Sequence, residues 1–119
     1  MKRLILAGAM ALAPTLALAA DISGAWIVNG DFDAMGIKYS LTCSFTDDNG
    51  KLSGPCKSDQ GDVTATGAVD GANVEFGYDT TYQGAPVHLD YKGAVQPDGS
   101  IKGSIATGGP EGAFTATKQ

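Results

Sequence analysis

From Ile22 onward, apolar and polar residues alternate with a period of two, and turn residues interrupt that alternation at intervals of roughly 8–12 residues. A helix would need apolar positions three and four apart, so the pattern calls for strands with one apolar and one polar face. Ile22, Gly24, Trp26 and Val28 share one face of a first strand. Ile37, Tyr39, Leu41, Cys43 and Phe45 share one face of a second, with Lys38, Ser40, Thr42, Ser44 and Thr46 opposite. Asp47-Asp48-Asn49-Gly50 then supplies a hairpin turn, because Asn and Gly accept the positive φ that tight hairpins demand. Leu52, Gly54 and Cys56 continue the inward face.

The scheme repeats through Val63-Ala65-Gly67-Val69, a turn at Asp70–Asn73, and Val74-Phe76-Tyr78. A loop containing Gly84 leads to Val87, Leu89, Tyr91 and Val95. Pro97-Asp98-Gly99 and Gly108-Gly109-Pro110 bound the last two strands, which carry Ile101, Gly103, Ile105 and then Phe114 and Ala116. About eight short antiparallel strands result, each with a single apolar face. Such a meander most simply removes its exposed edges by closing into an all-β, up-and-down barrel; a two-sheet sandwich is the alternative. Inward glycines at 24, 54, 67, 93 and 103 suit a barrel, whose strands must coil sharply.

Residues 1–19 read as a cleavable signal peptide. Lys2 and Arg3 precede an uncharged run from Leu4 to Leu18, and Ala17-Leu18-Ala19 is the small-x-small pattern cut by signal peptidase. Residues 20–119 then form one domain, expected in the periplasm or outside the cell, with no second apolar segment to insert in a membrane. The formal net charge is −5, and the leader carries two of the cations, which leaves about −7 on the domain. Its lysines (38, 51, 57, 92, 102 and 118) are scattered, and it has no Arg. Nucleic acids and anionic membrane surfaces need clustered cations, so neither is expected as a partner.

If Asn49-Gly50 is a two-residue turn, Cys43 lies directly opposite Cys56 on the inward face. In an exported chain the pair should form a disulfide, worth on the order of 3 kcal/mol in the chain-entropy model. Pro55, which cannot donate to a ladder, signals a local irregularity beside it. Two cysteines and one histidine do not complete a zinc site, and the acidic turns lack EF-hand spacing, so neither metal nor cofactor is expected. His88 and Asp90 share a strand face and are able to touch. They fall on the polar, outward side, where a solvated pair is a simpler reading than a base and its orienter. No nucleophile elbow, P-loop or dinucleotide fingerprint occurs, and the chain reads as a non-enzyme.

The inward aromatics Trp26, Tyr39, Phe45, Phe76, Tyr78, Tyr91 and Phe114 remain. They are either the lining of a cavity for a small apolar or amphipathic ligand, or a filled core, since eight strands enclose little more than their own side chains. Ile22-Ser23-Gly24-Ala25-Trp26 resembles the first strand of the calycin barrels, the group of lipocalins and avidins, in which a Gly-x-Trp closes one end. Lipocalins pack a late Arg over that Trp; here Lys118 is the nearest candidate. Length, export, the Ser-Gly-x-Trp start and a single disulfide also resemble small periplasmic metalloprotease inhibitors. The resemblance implies a binding module that holds a small apolar or amphipathic ligand. The alternatives are a periplasmic module that contacts an exported protein, such as a hydrolase it inhibits, and a structural barrel without a ligand.

Overall fold

The computed structural model describes residues 21–119; the expected leader lies outside the described residues. Eight strands run in chain order: β1 Gly24–Phe32, β2 Ile37–Asp48, β3 Lys51–Ser58, β4 Gly61–Asp70, β5 Asn73–Tyr82, β6 Ala85–Val95, β7 Ile101–Ala106 and β8 Glu111–Lys118. Each pairs antiparallel with the next, and β8 returns to β1, closing the up-and-down barrel that the alternation predicts. Trp26↔Lys118 through Asp31↔Ala113 form that closing seam.

Turn chemistry sets the registers. Asn49 and Gly50 both have positive φ (53° and 92°), and the turn they form places Asp48 opposite Lys51 and Cys43 opposite Cys56. The cysteines form a disulfide with Cα atoms 4.0 Å apart, compatible with an oxidising, exported location. Between the disulfide and the turn, Ser44 and Phe45 drop out of the β2–β3 ladder. Pro55 has no N–H to give Ser44, and Gly54 packs so closely on the Ser44 carbonyl that a Cβ there would overlap it.

Two elements differ from the sequence-based expectation. β1 continues past Val28 to Phe32, followed by a 3₁₀ turn at Asp33–Met35 that Gly36 ends in a left-handed conformation. Gly30 hides this extension in the sequence, because it replaces an apolar residue on the inward face with no side chain. The Gly84 segment is no broad loop: Gln83-Gly84 is a two-residue turn with φ of 52° and 83°, and β5 and β6 pair up to Tyr82↔Ala85.

The two ends of the barrel differ. At the end holding both described termini, Ile22, Trp26, Leu52, Val74 and Ile101 are buried. Trp26 Nε1 donates to the Ile22 carbonyl at 2.8 Å, and Lys118 Nζ sits 5.9 Å from the Trp26 ring centroid, where a cation is favoured by the ring quadrupole. At the other end Ile37, Tyr39, Val63 and Val87 are only partly buried.

Room for the core comes from glycine. A Cβ on Gly103 would overlap the Lys92 carbonyl oxygen, and one on Gly93 would press on the Phe114 ring. Gly103→Ala is therefore expected to cost about 1–3 kcal/mol as an overpacked site, more than the few tenths usual for a surface change. Urea unfolding of the variant measures this, and unchanged stability would contradict the close approach of β6 and β7.

Candidate functional site

The expected inward aromatics do face inward. Trp26, Phe45, Phe76, Tyr78, Tyr91 and Phe114 are buried and Tyr39 is half-buried. Trp26 closes one end, and the other six crowd the axis. Phe76 stacks on Tyr91 with centroids 4.6 Å apart and planes 9° from parallel. Phe114 meets both edge-on at 5.9 and 5.2 Å, and Phe45 tilts against Phe76 at 5.1 Å. These are favourable ring geometries, and side chains, not empty space, occupy that stretch of lumen. Phe32 belongs to the same cluster, 6.3 Å from the Tyr39 ring; its inward position is hidden in the sequence because the apolar alternation of β1 breaks after Val28 at Gly30.

Three hydroxyls meet across the lumen. Tyr39 on β2 reaches Tyr91 on β6 (Oη···Oη 2.6 Å), and Tyr91 reaches Tyr78 on β5 (2.5 Å). β2 and β6 lie on opposite walls, so the chain of hydroxyls is a cross-brace. Three phenols hold three protons but share two contacts, which leaves one proton for a further acceptor. Half-buried Tyr39 is the member able to present it outward. Burial raises all three phenol pKa values, most strongly at Tyr91, so the brace stays neutral at physiological pH.

On the outer face His88 touches Asp90, as its spacing suggests, and also Asp79 across the β5–β6 ladder. Its Nδ1 lies 2.7 Å from Asp79 Oδ1 and its Nε2 3.0 Å from Asp90 Oδ1. Both nitrogens face carboxylates, so both are satisfied as donors by an imidazolium, which has no lone pair left to accept a proton. The Asp79 hydrogen bond, then that of Asp90, raises the His88 pKa. The ring is 54% exposed. This is a solvated clamp over Gly77, where an added Cβ would collide with Asp90 Oδ1.

The clamp stands at the root of an incomplete wall. Pairing of β4 with β5 stops at Thr66↔Gly77, and pairing of β6 with β7 stops at Asp90↔Ala106. Beyond those points Tyr78–Tyr82 and Ala85–Leu89 pair only with each other among the described residues, forming a two-stranded arm. Tyr82 at its tip is 43% exposed. A depression of about 350 Å³ lies on the outer wall at the arm's root, bordered by Thr66, Glu75, Gly77, His88, Asp90 and Lys92. Among the described residues no group of three His, Cys, Asp or Glu is arranged to hold a metal ion.

Compared with known protein families, curated proteins and solved structures, the chain matches none.

Tyr91→Phe keeps the ring and strands the hydroxyls of Tyr39 and Tyr78; it should lower stability by about 1–3 kcal/mol, read by chemical denaturation. For His88, a raised folded pKa means that the clamp contributes stability in full below the unfolded value of about 6.5 and loses it as pH rises through the folded pKa. NMR titration of this sole histidine should give a pKa above 6.5, lowered more by Asp79→Asn than by Asp90→Asn. A wild-type value at or below 6.5 would show that the clamp does not form in solution.

Proposed function

We propose that this protein is an exported, non-enzymatic recognition module that engages a partner protein through the open sector of its wall. The observation that carries this reading is the β5–β6 arm, paired to nothing else beyond Gly77 and Asp90 among the described residues. A lone two-stranded hairpin is marginal in water, and free strand edges are a liability that folds usually remove. Keeping such an arm on an otherwise closed barrel makes sense as a presented surface. Tyr82 at the tip is an amphipathic aromatic of the kind that anchors interfaces. The remainder of the barrel, with its stacked rings and disulfide, is then a rigid support. The Trp26-closed end with Lys118 over the indole supports a calycin-like barrel of the lipocalin type.

A second reading keeps a small apolar or amphipathic ligand at the inward aromatics Trp26, Tyr39, Phe45, Phe76, Tyr78, Tyr91 and Phe114. The uncommitted hydroxyl proton of the tyrosine brace favours it, since a ligand oxygen could accept that proton at the partly buried end of the barrel. Stacking along the axis favours the first reading, because a ligand would have to displace rings already in contact.

Photo-crosslinking from position 82, with position 102 on β7 as control, separates the two when combined with native mass spectrometry. The expected result is a protein adduct from position 82 alone and no co-purifying small molecule. A stoichiometric small ligand without any position-82 adduct would overturn the recognition role.

A further inference from the structure

Resting on that recognition role, we infer that the notch between β4 and β5 takes up an extended, cationic peptide segment of the partner as an added strand. The registers decide which backbone groups are free. Ser58↔Gly61, Asp70↔Asn73 and Tyr82↔Ala85 all close two-residue turns, and such closing pairs exchange hydrogen bonds. Alternation from those pairs turns the N–H and C=O groups of Gly61, Val63 and Ala65 toward β3. Those of Asp62 and Thr64 point toward β5, and those of Asp79 and Thr81 point back at them. Since β4–β5 pairing ends at Thr66↔Gly77, these four residues present unpaired backbone from both sides of the notch among the described residues. The far edge of the arm is different: there the same alternation turns Pro86, which has no N–H, outward toward β7. One edge is blunted and the other left receptive.

The side chains define the occupant. Asp62 and Thr64 on β4 and Asp79 and Thr81 on β5 lie on the outer face, with Asp59 at the β3–β4 turn and Asp90 and Glu75 above. The cations on this face are Lys57 opposite Asp62, Lys92 opposite Glu75, and His88, already held between two carboxylates. Acidic groups outnumber them, on a domain without Arg. On the inner face, partly buried Val63 and Val87 and buried Tyr78 and Leu89 offer apolar contact. The fitting segment therefore alternates Lys or Arg outward with aliphatic residues inward. The depression over Gly77 lies at the closed end of the notch, where a terminal basic side chain of the segment would meet Glu75 and Asp90.

The test titrates ¹⁵N-labelled protein with the peptide acetyl-Lys-Val-Lys-Val-Lys-Val-Lys-amide, with its Glu-Val counterpart, and with a form N-methylated at alternate residues. Strand addition predicts saturable binding of the Lys-Val peptide, with slowed amide exchange at Asp62, Thr64, Asp79 and Thr81. N-methylation or Asp62→Lys should weaken it about tenfold or more. Thr81→Pro removes one edge N–H while leaving the pairing to β6, and should lower both affinity and protection. Binding without protection of these amides, or equal binding of the Glu-Val peptide, would overturn the proposal. So would protection in the free protein that grows with its concentration, which would make a second copy the occupant. Protection that disappears on removal of residues 1–20 would overturn it too, by making this chain's own N-terminus the occupant. If the peptide fails while position 82 still crosslinks a protein, strand addition falls and the recognition role stands; if neither occurs, both fall.

Discussion

An eight-stranded barrel has room for little more than its own side chains, and this one fills that room with rings. The constraint is met by setting glycine against aromatic residues across neighbouring strands. Gly30 pairs with both Tyr39 and Phe114, Gly67 with Phe76, and Gly103 with Phe114. A Cβ on Gly30 would run into the Tyr39 ring, so the hydroxyl of Tyr39 reaches across to Tyr91 only because position 30 has no side chain. Ring stacking, the hydroxyl brace and the sharp coiling of the strands all depend on that alternation of large and absent side chains.

Much of this was legible in the amino-acid order, for a physical reason. Two-residue turns fix register by counting, so Cys43 opposite Cys56 follows from Asn49-Gly50 alone. Period-2 alternation fixes which face is apolar, so six of the seven expected inward aromatics are buried and the seventh half-buried. What escaped depends on contacts between distant parts of the chain. Tyr39 and Tyr91 are 52 residues apart, and nothing local marks their hydroxyls as partners. Asp79 joins His88 only through the β5–β6 register, which the polar run Asp79-Thr80-Thr81 conceals because the outer half of the arm, past Tyr78 and Leu89, lies beyond the core and needs no alternation. Phe32 was masked by the glycine that makes room for Tyr39.

The arm and the clamp answer one another. Asp79 and Asp90 would repel if His88 were neutral; as an imidazolium it joins them and ties the outer face of the arm to its root. On the inner face Tyr78 does the same through Tyr91. A ribbon tethered on both faces can keep an open edge without fraying, which is what a preorganised recognition surface requires.

The disulfide joins neighbouring strands, 13 residues apart in sequence, whereas the seam that completes the barrel joins Trp26 to Lys118. Loop-closure entropy grows with chain separation, so the hairpin costs less to close than the seam. If the chain is exported as proposed, the β2–β3 hairpin can oxidise without waiting for β8 to pair with β1. Covalent closure thus secures one local hairpin and leaves the most distant pairing to non-covalent contacts, the backbone ladder and the Lys118–Trp26 contact among them.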